Sequence, residues 1–395
     1  MSLDKQNICV VGGAGHAGLP LALALASARQ HVIIYDLNAA AMDDISKGTM
    51  PFVEHGAEPL LKEALQENRL TFTTDPSEIE RAEHVIVTIG TPVDEYLNPK
   101  LRALLDLFNE LRPHLRPSQT IVIRSTVFPG TCRHVERFLG NKGGQWKIAY
   151  CPERIAQGFA IRELSELPQI VSGCSPEAVE SAAKLFALLA PEIIRVEIEE
   201  AELAKLFTNA WRYIQFAAAN QFYMLANNAG VDFNRIRDAM VRGYGRAASL
   251  PTAGFAAGPC LLKDTMQLAA LNTNGFWLGH AAMMVNEGLP SFIVESLRQK
   301  CDLAGKHVGI LGMAFKADVD DTRDSLSYKL GKLLRFHGAL VGYSDEFAKD
   351  PTFVSKETLL RTSEVVVVGA PHSAYRTLVV PHGLDVVDVW GILPK

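Results

Sequence analysis

No apolar run in this 395-residue chain is long enough to cross a bilayer: stretches such as "LPLALALAS" are too short or too interrupted by polar residues, so a transmembrane reading fails. An excess of one charge is missing too. A net charge of -5, with 48% hydrophobic and 21% charged residues, gives no reason to expect nucleic acid or a membrane surface as partner. The six cysteines, Cys9, Cys132, Cys151, Cys174, Cys260 and Cys301, are scattered and form no C-x-x-C pair. That spacing suggests neither a zinc site nor a disulfide framework, and the default reading of each cysteine is a small core residue. No signal pattern stands at the N-terminus, where the charged "MSLDKQ" leads straight into a strand and a glycine-rich turn, so the cytoplasm is the expected location.

What is present points to an α/β protein of two or three domains, since the chain is too long for one core. "NICVVG", "HVIIYD", "LTFTTD", "HVIVTIG", "QTIVIRS" and "KIAYC" read as strands separated by amphipathic helical segments, the pattern of a doubly wound parallel sheet covered on both faces. This first domain is expected to span 1–200. From Glu199 some thirty residues pass without proline or glycine before Gly230, which predicts one long helix ended by "NNAG". Further helical patterns make 201–303 a helical domain. At "GKHVGILGMAFKAD" the strand, turn and helix order returns, and it continues through "ALVGYSD", "EVVVVGAP" and "LDVVDVW". The expected architecture is therefore two Rossmann-like domains, 1–200 and 304–395, joined by a central helical domain.

The turn after the first strand, "ICVVGGAGHAG", supplies G-x-G-x-x-G as Gly13, Gly15 and Gly18, with His16 and Ala17 inside it. Glycine there allows a tight turn and close approach of backbone to a pyrophosphate, and the helix N-terminus favours its charge. Asp36 ends the second strand 18 residues after Gly18, where a carboxylate can accept both ribose hydroxyls and would repel a 2'-phosphate. The expected cofactor is NAD, and hydride transfer the first chemistry to consider. Thr91, Thr126 and Glu153 follow later strands, whose carboxyl ends are where a doubly wound sheet places its ligands.

On the long helix Lys205 and Asn209 are spaced i, i+4 and share a face. In an otherwise apolar stretch they could supply a positive charge and a hydrogen-bond donor to an oxyanion, although a solvated polar stripe would place such a pair equally well. If a helix starts near Pro259, Cys260 sees the positive end of its dipole, which favours the thiolate, and Asp264 lies one turn on as a base or water-orienting group. A thiolate beside NAD suggests oxidation at the aldehyde level through a thioester.

The chain resembles the UDP-glucose/GDP-mannose dehydrogenase family over essentially its full length. "GHAGLPLALALA", "GTPVDEYLNP", "RSTVFPGT", "CPERIAQG", "AELAKLFTN", "GPCLLKDT", "GMAFKADVDDTRDS" and "VDVWG" occur in the family's order. The resemblance implies a nucleotide-sugar 6-dehydrogenase that oxidises a C6 hydroxymethyl to a carboxylate, consumes two NAD per sugar and feeds polysaccharide synthesis. It implies Cys260 as nucleophile, Lys205 and Asn209 as oxyanion stabilisers, Asp264 as the residue that positions water, and Thr126 and Glu153 as helpers. Arg246 would reach the sugar nucleotide of a neighbouring subunit in a homodimer. Gly258 and Lys316 would lie against the sugar nucleotide, and Arg323 against the NAD pyrophosphate.

The chain also departs from the family. Ala257, Gly258 and Pro259 precede Cys260 where members carry two glycines and a larger residue, and Gln157 stands where some UDP-glucose enzymes place a second glutamate. "TPVDEYLNP" resembles the amino-sugar members and "KDTMQL" the UDP-glucose members, so UDP-hexoses and UDP-N-acetylhexosamines both remain open. Two other readings stand beside this one: a two-electron hydroxyacid dehydrogenase, which needs no Cys260, and a non-catalytic nucleotide-sugar binder.

Overall fold

A computed structural model of the chain describes residues 7–91, 93–94, 100–140 and 145–394. Pro92 and residues 95–99 of "GTPVDEYLNP" lie outside them. Residues 1–207 and 208–395 form two compact units, with the boundary inside a 31-residue helix, Ile198–Asn228.

Among the described residues the first unit carries an eight-stranded sheet built from β1 (Asn7–Val11), β2 (His31–Tyr35), β3 (Leu70–Thr73), β4 (His84–Val87), β5 (Thr120–Ile123), β6 (Lys147–Tyr150), β7 (Gln169–Gly173) and β8 (Ile193–Arg195). Its order is β3-β2-β1-β4-β5-β6-β7-β8, the doubly wound arrangement with its reversal at β1. Alternation assigns the two faces. Ile8 and Val10 pack with the helix Gly18–Ser27, whereas Cys9 and Val11 join Phe108 and Leu139 on the other side. A strand buried on both faces reads as an unbroken apolar run, which is why β1, β2, β4, β5 and β6 stand out in the sequence, whereas β3, half-buried throughout, shows instead an alternating Leu-Thr-Phe-Thr pattern. The last two strands do not stand out. β7 pairs antiparallel with β6, placing Ala149 opposite Gly173, and the half-exposed β8 is only three residues long.

The second unit contains β9 (His307–Leu311), β10 (Leu340–Ser344), β11 (Val365–Val368) and β12 (Asp385–Val387), all parallel in the order β10-β9-β11-β12. The helix Ile198–Asn228 closes as its sequence implies, with Gly230 at φ +71° and the Val231 N–H returning to the Ala226 carbonyl at 3.0 Å. Further helices run over Phe233–Val241, Leu261–Leu271 and Trp277–Arg298. Among the described residues no helix is long and apolar enough to cross a membrane.

The two sheets share one device. Asp36, just after β2, accepts the Ala14 N–H at 3.0 Å and the Asn38 N–H at 2.9 Å. Asp345, just after β10, accepts the N–H groups of Met313 at 2.6 Å and Ala314 at 2.9 Å. In each unit an aspartate at the end of the second strand ties down the turn that leaves the first. His372, fully buried, bonds the same Asp345 carboxylate through Nε2 at 3.0 Å.

Candidate active site

The glycine turn of the first unit separates glycines required by the fold from one that is not. A Cβ on Gly18 would overlap the Gly12 carbonyl, and one on Gly13 would lie 2.7 Å from the Val10 carbonyl, so helix and strand can pack only without side chains there. Gly15 is exposed, and a Cβ on it would meet nothing closer than 3.4 Å. The protein's own packing leaves that position open on its outer side, which fits close approach by a pyrophosphate. These residues fit NAD: the turn would hold the phosphates, and Asp36, anchored through two backbone N–H groups, retains lone pairs for ribose hydroxyls.

Beside the turn, His16 stacks on Phe52 with ring centroids 4.0 Å apart, and its Nδ1 lies 3.1 Å from Gln157 Nε2. Gln157 therefore joins the loop after β6 to the cofactor turn. Glu54, buried, holds that loop by accepting the Gly158 N–H at 3.0 Å and the Ile161 N–H at 3.3 Å; burial pushes its carboxyl above the ordinary glutamate value. Thr91 and Thr126 are brought together, the Thr91 hydroxyl donating to the Thr126 carbonyl at 2.6 Å.

Glu153 is engaged on both oxygens. Arg124 donates to Oε2 through Nε at 2.9 Å and Nη2 at 2.8 Å, and the Ile155 N–H donates to Oε1 at 2.6 Å. Arg124 itself is 1% exposed, reaches Gln169 at 2.9 Å and lies 5.0 Å from the Phe186 ring centroid. Sequence reasoning passed over Arg124, although a charged residue at the end of an interior strand was its signal. Arg124 is buried and Glu153 half-buried, so removing the carboxylate strands a buried cation, at a cost of about 3 kcal/mol.

Lys205 and Asn209 lie one turn apart on the long helix and are both buried. One turn before Lys205, Glu202 is also buried and accepts the Gly130 N–H at 2.6 Å and the Cys132 N–H at 2.9 Å. That carboxylate caps the N-terminus of the helix Thr131–Gly140 and binds the Lys205 helix to the loop carrying Thr126.

In the second unit Cys260 is the N-cap of the helix Leu261–Leu271, which begins two residues after Pro259. The thiol is exposed. Asp264 is fully buried one turn on, its N–H donating to the Cys260 carbonyl at 2.9 Å. Asn209 Nδ2 donates to the Asp264 carboxylate at 2.6 Å, with Lys263 Nζ at 3.6 Å and Gln267 Nε2 at 3.4 Å. Cys260, Asp264 and Asn209 thus form one cluster.

The loop leading to Cys260 lies flat on two rings. A Cβ on Gly254 would overlap the Trp390 indole, and one on Gly258, at φ +95°, would lie 2.5 Å from Phe315 Cδ2. Asn220 clamps Gly254 from both sides, accepting its N–H at 2.8 Å and donating to its carbonyl at 3.0 Å, while the Gly258 N–H donates to the Asp324 carbonyl at 3.3 Å. Of the remaining expected residues, Lys316 is half-buried beside Phe315 and Arg246 stands on the exposed turn Gly245–Ala247. Arg323 is exposed but already paired, donating through Nε to both oxygens of Asp321 at 3.0 Å.

A dinucleotide turn in the first unit, and in the second a cysteine at a helix start beside a buried carboxylate–amide pair, are each features that suit an NAD-dependent dehydrogenase. Residues 6–190, 199–287 and 309–395 match, in turn, the NAD-binding, central and UDP-binding domains of the UDP-glucose/GDP-mannose dehydrogenase family, and the chain belongs to that family. It is an NAD-dependent nucleotide-sugar dehydrogenase. It is 28% identical over 379 residues to a UDP-N-acetyl-D-mannosamine dehydrogenase of Methanocaldococcus jannaschii, covering 94% of this chain and 87% of that one. An NDP-N-acetyl-D-galactosaminuronic acid dehydrogenase of Ralstonia nicotianae is 26% identical, covering 96% and 93%. The solved structure of a UDP-glucose dehydrogenase from Pyrobaculum islandicum superposes with a TM-score of 0.91 at 26% identity, covering 99% and 95%.

Proposed function

We propose that the chain carries out a four-electron oxidation of the C6 hydroxymethyl of a UDP-N-acetylhexosamine to the uronate, for polysaccharide precursor synthesis in the cytoplasm. Residues 1–200 hold NAD, 304–395 the nucleotide of the substrate, and 201–303 pair two subunits. The observation that carries the reading is the Asn209–Asp264 hydrogen bond one helical turn from Cys260. The amino-sugar substrate is favoured by the names of the two relatives compared by sequence, with UDP-hexose as the competing outcome.

Bound NAD supplies the hydride acceptor. Lys205 places a positive charge where the C6 oxygen gains negative charge, first as the alcohol loses its proton and then in the tetrahedral adduct. Asn209 commits one amide N–H to Asp264 and keeps the other for the same oxygen. The Cys260 sulfur adds to the C6 aldehyde, forming the C–S bond of a thiohemiacetal. That aldehyde results when the alcohol's first hydride passes to bound NAD, and loss of a second hydride from C6, to a second NAD, gives the thioester. Asp264 then orients water, whose attack breaks the C–S bond and returns the thiol. Thr126 and Glu153 shape the substrate side of the first unit, with Glu153 serving as an ion-paired anchor for its loop. Gly258 and Lys316 meet the sugar nucleotide, Arg323 approaches the cofactor phosphates, and Arg246 acts across the subunit boundary.

Pairing of two chains is supported by exposed Phe207, Trp211, Phe222 and Leu225 along the long helix, which sedimentation tests. The catalytic reading is tested by NADH released per molecule across a panel of UDP-sugars. About two NADH per sugar is expected from a UDP-N-acetylhexosamine, and Cys260→Ser stops uronate formation. About one NADH, or uronate from the Ser variant, overturns the sulfur chemistry.

A further inference from the structure

Gly258 is held at two points by one segment of the UDP-binding domain. The Phe315 ring occupies the space a Cβ would need, and the Asp324 carbonyl accepts the Gly258 N–H at 3.3 Å. The segment is internally braced: the Phe315 N–H donates to the Asp321 carbonyl at 2.9 Å, and the Asp321 carboxylate binds both the backbone N–H and the guanidinium of Arg323. Asp324 takes a left-handed φ of +53°, which fixes the direction of the carbonyl that meets Gly258. The Asp321 hydrogen bond holds the Arg323 guanidinium above its ordinary value, and the nearby Cys260 sulfur adds to the effect.

Between Gly258 and Cys260 stands only Pro259, whose ring fixes its φ, so a shift of Gly258 moves the sulfur with little slack. On the other side Phe315 is followed directly by Lys316. Phe315 thus touches the backbone that sets the thiol, and its direct neighbour in sequence, Lys316, is a cation suited to a diphosphate. We propose that Phe315 is a positioning residue for Cys260, acting through Gly258, and that a nucleoside diphosphate held beside Lys316 restrains the thiol through this ring. The inference rests on the reading that 304–395 bind the nucleotide of the substrate, and it adds that this binding prepares the nucleophile for the second oxidation.

The test uses the full chain, without turnover. The rate of alkylation of Cys260 by iodoacetamide is followed by peptide mass spectrometry with and without saturating UDP, and UDP affinity is measured separately by calorimetry. In the parent enzyme UDP slows alkylation about fivefold or more. Phe315→Leu loses most of that response while binding UDP within about twofold of the parent, and Phe315→Tyr, which keeps the ring, restores it. Phe315→Met stands in if the Leu variant does not fold. An unchanged response in the ring-deleted variant at saturating UDP overturns the proposal, as does a parent enzyme that binds UDP with no change in alkylation. Failure of UDP to bind would show in calorimetry alone and would remove the substrate reading together with the coupling built on it.

Discussion

Asn209 donates to the Asp264 carboxylate at 2.6 Å across 55 residues of sequence, and both side chains are buried. The bond joins the long helix to the helix that starts at Cys260. Asn209→Ala leaves the carboxylate with only the longer approaches of Lys263 and Gln267 among those described above, and an under-satisfied buried charge costs about 1–3 kcal/mol. The variant is expected to unfold at lower denaturant as well as to turn over more slowly. Unfolding at the parental midpoint would show that the bond contributes nothing to the fold.

Asp264→Asn keeps the size and the bonding capacity of the side chain but removes the charge that orients water. The first hydride transfer is expected to persist, while hydrolysis of the thioester falls about 100-fold or more. An acyl adduct should then accumulate on the Cys260 peptide and be visible by mass. A variant with slow turnover and no adduct would move Asp264 to an earlier step.

The glycine turn, Asp36 and the helix with Lys205 and Asn209 were legible in sequence because each rests on short-range spacing. β1, β2, β4, β5 and β6 were legible because strands buried on both faces are continuous apolar runs, and β3 because its Leu-Thr-Phe-Thr alternates. β7, begun by a glutamine and ended by a glycine, and β8, three residues long, carry no such signal. Long-range partners were also hidden. Nothing near Gly254 or Gly258 says that Trp390 and Phe315 fill the missing side-chain space, although "VDVWG" and "GMAFK" stood out as motifs. Their physical reason lies in the loop they support. Glu202 was missed for the same cause, its backbone partner lying 70 residues away, and the role of Arg124, despite its place at a strand end, became clear only with Glu153, 29 residues on.

Gly258→Ala puts a methyl group against Phe315 at a backbone angle that L side chains rarely adopt. The expected cost is about 1–3 kcal/mol, with loss of uronate formation exceeding the loss of UDP binding. Gly245→Ala is the control, because a Cβ there meets nothing within 4 Å and its φ is not positive. Its stability should stay within about 0.5 kcal/mol of the parent. Equal effects of the two substitutions would dismiss the packing argument.

Acid sensitivity of the first unit has an identifiable source in His84, at the start of β4. The ring is 4% exposed, Nε2 lies 3.0 Å from the Ser181 hydroxyl, and Nδ1 has no hydrogen-bond partner among the described residues. Burial, with Lys147 adding to it, pushes the imidazole from 6.5 down to about 4. Because the folded value is the lower one, the unfolded chain binds more protons between the two values. Stability is therefore complete above pH 6.5 and falls as pH drops towards 4, by up to about 3 kcal/mol. His84→Leu removes this titration at the cost of the Ser181 contact, so its melting temperature should start lower at neutral pH and decline less steeply between pH 6.5 and 4. Parallel curves for the parent and the variant would show that other groups govern acid unfolding.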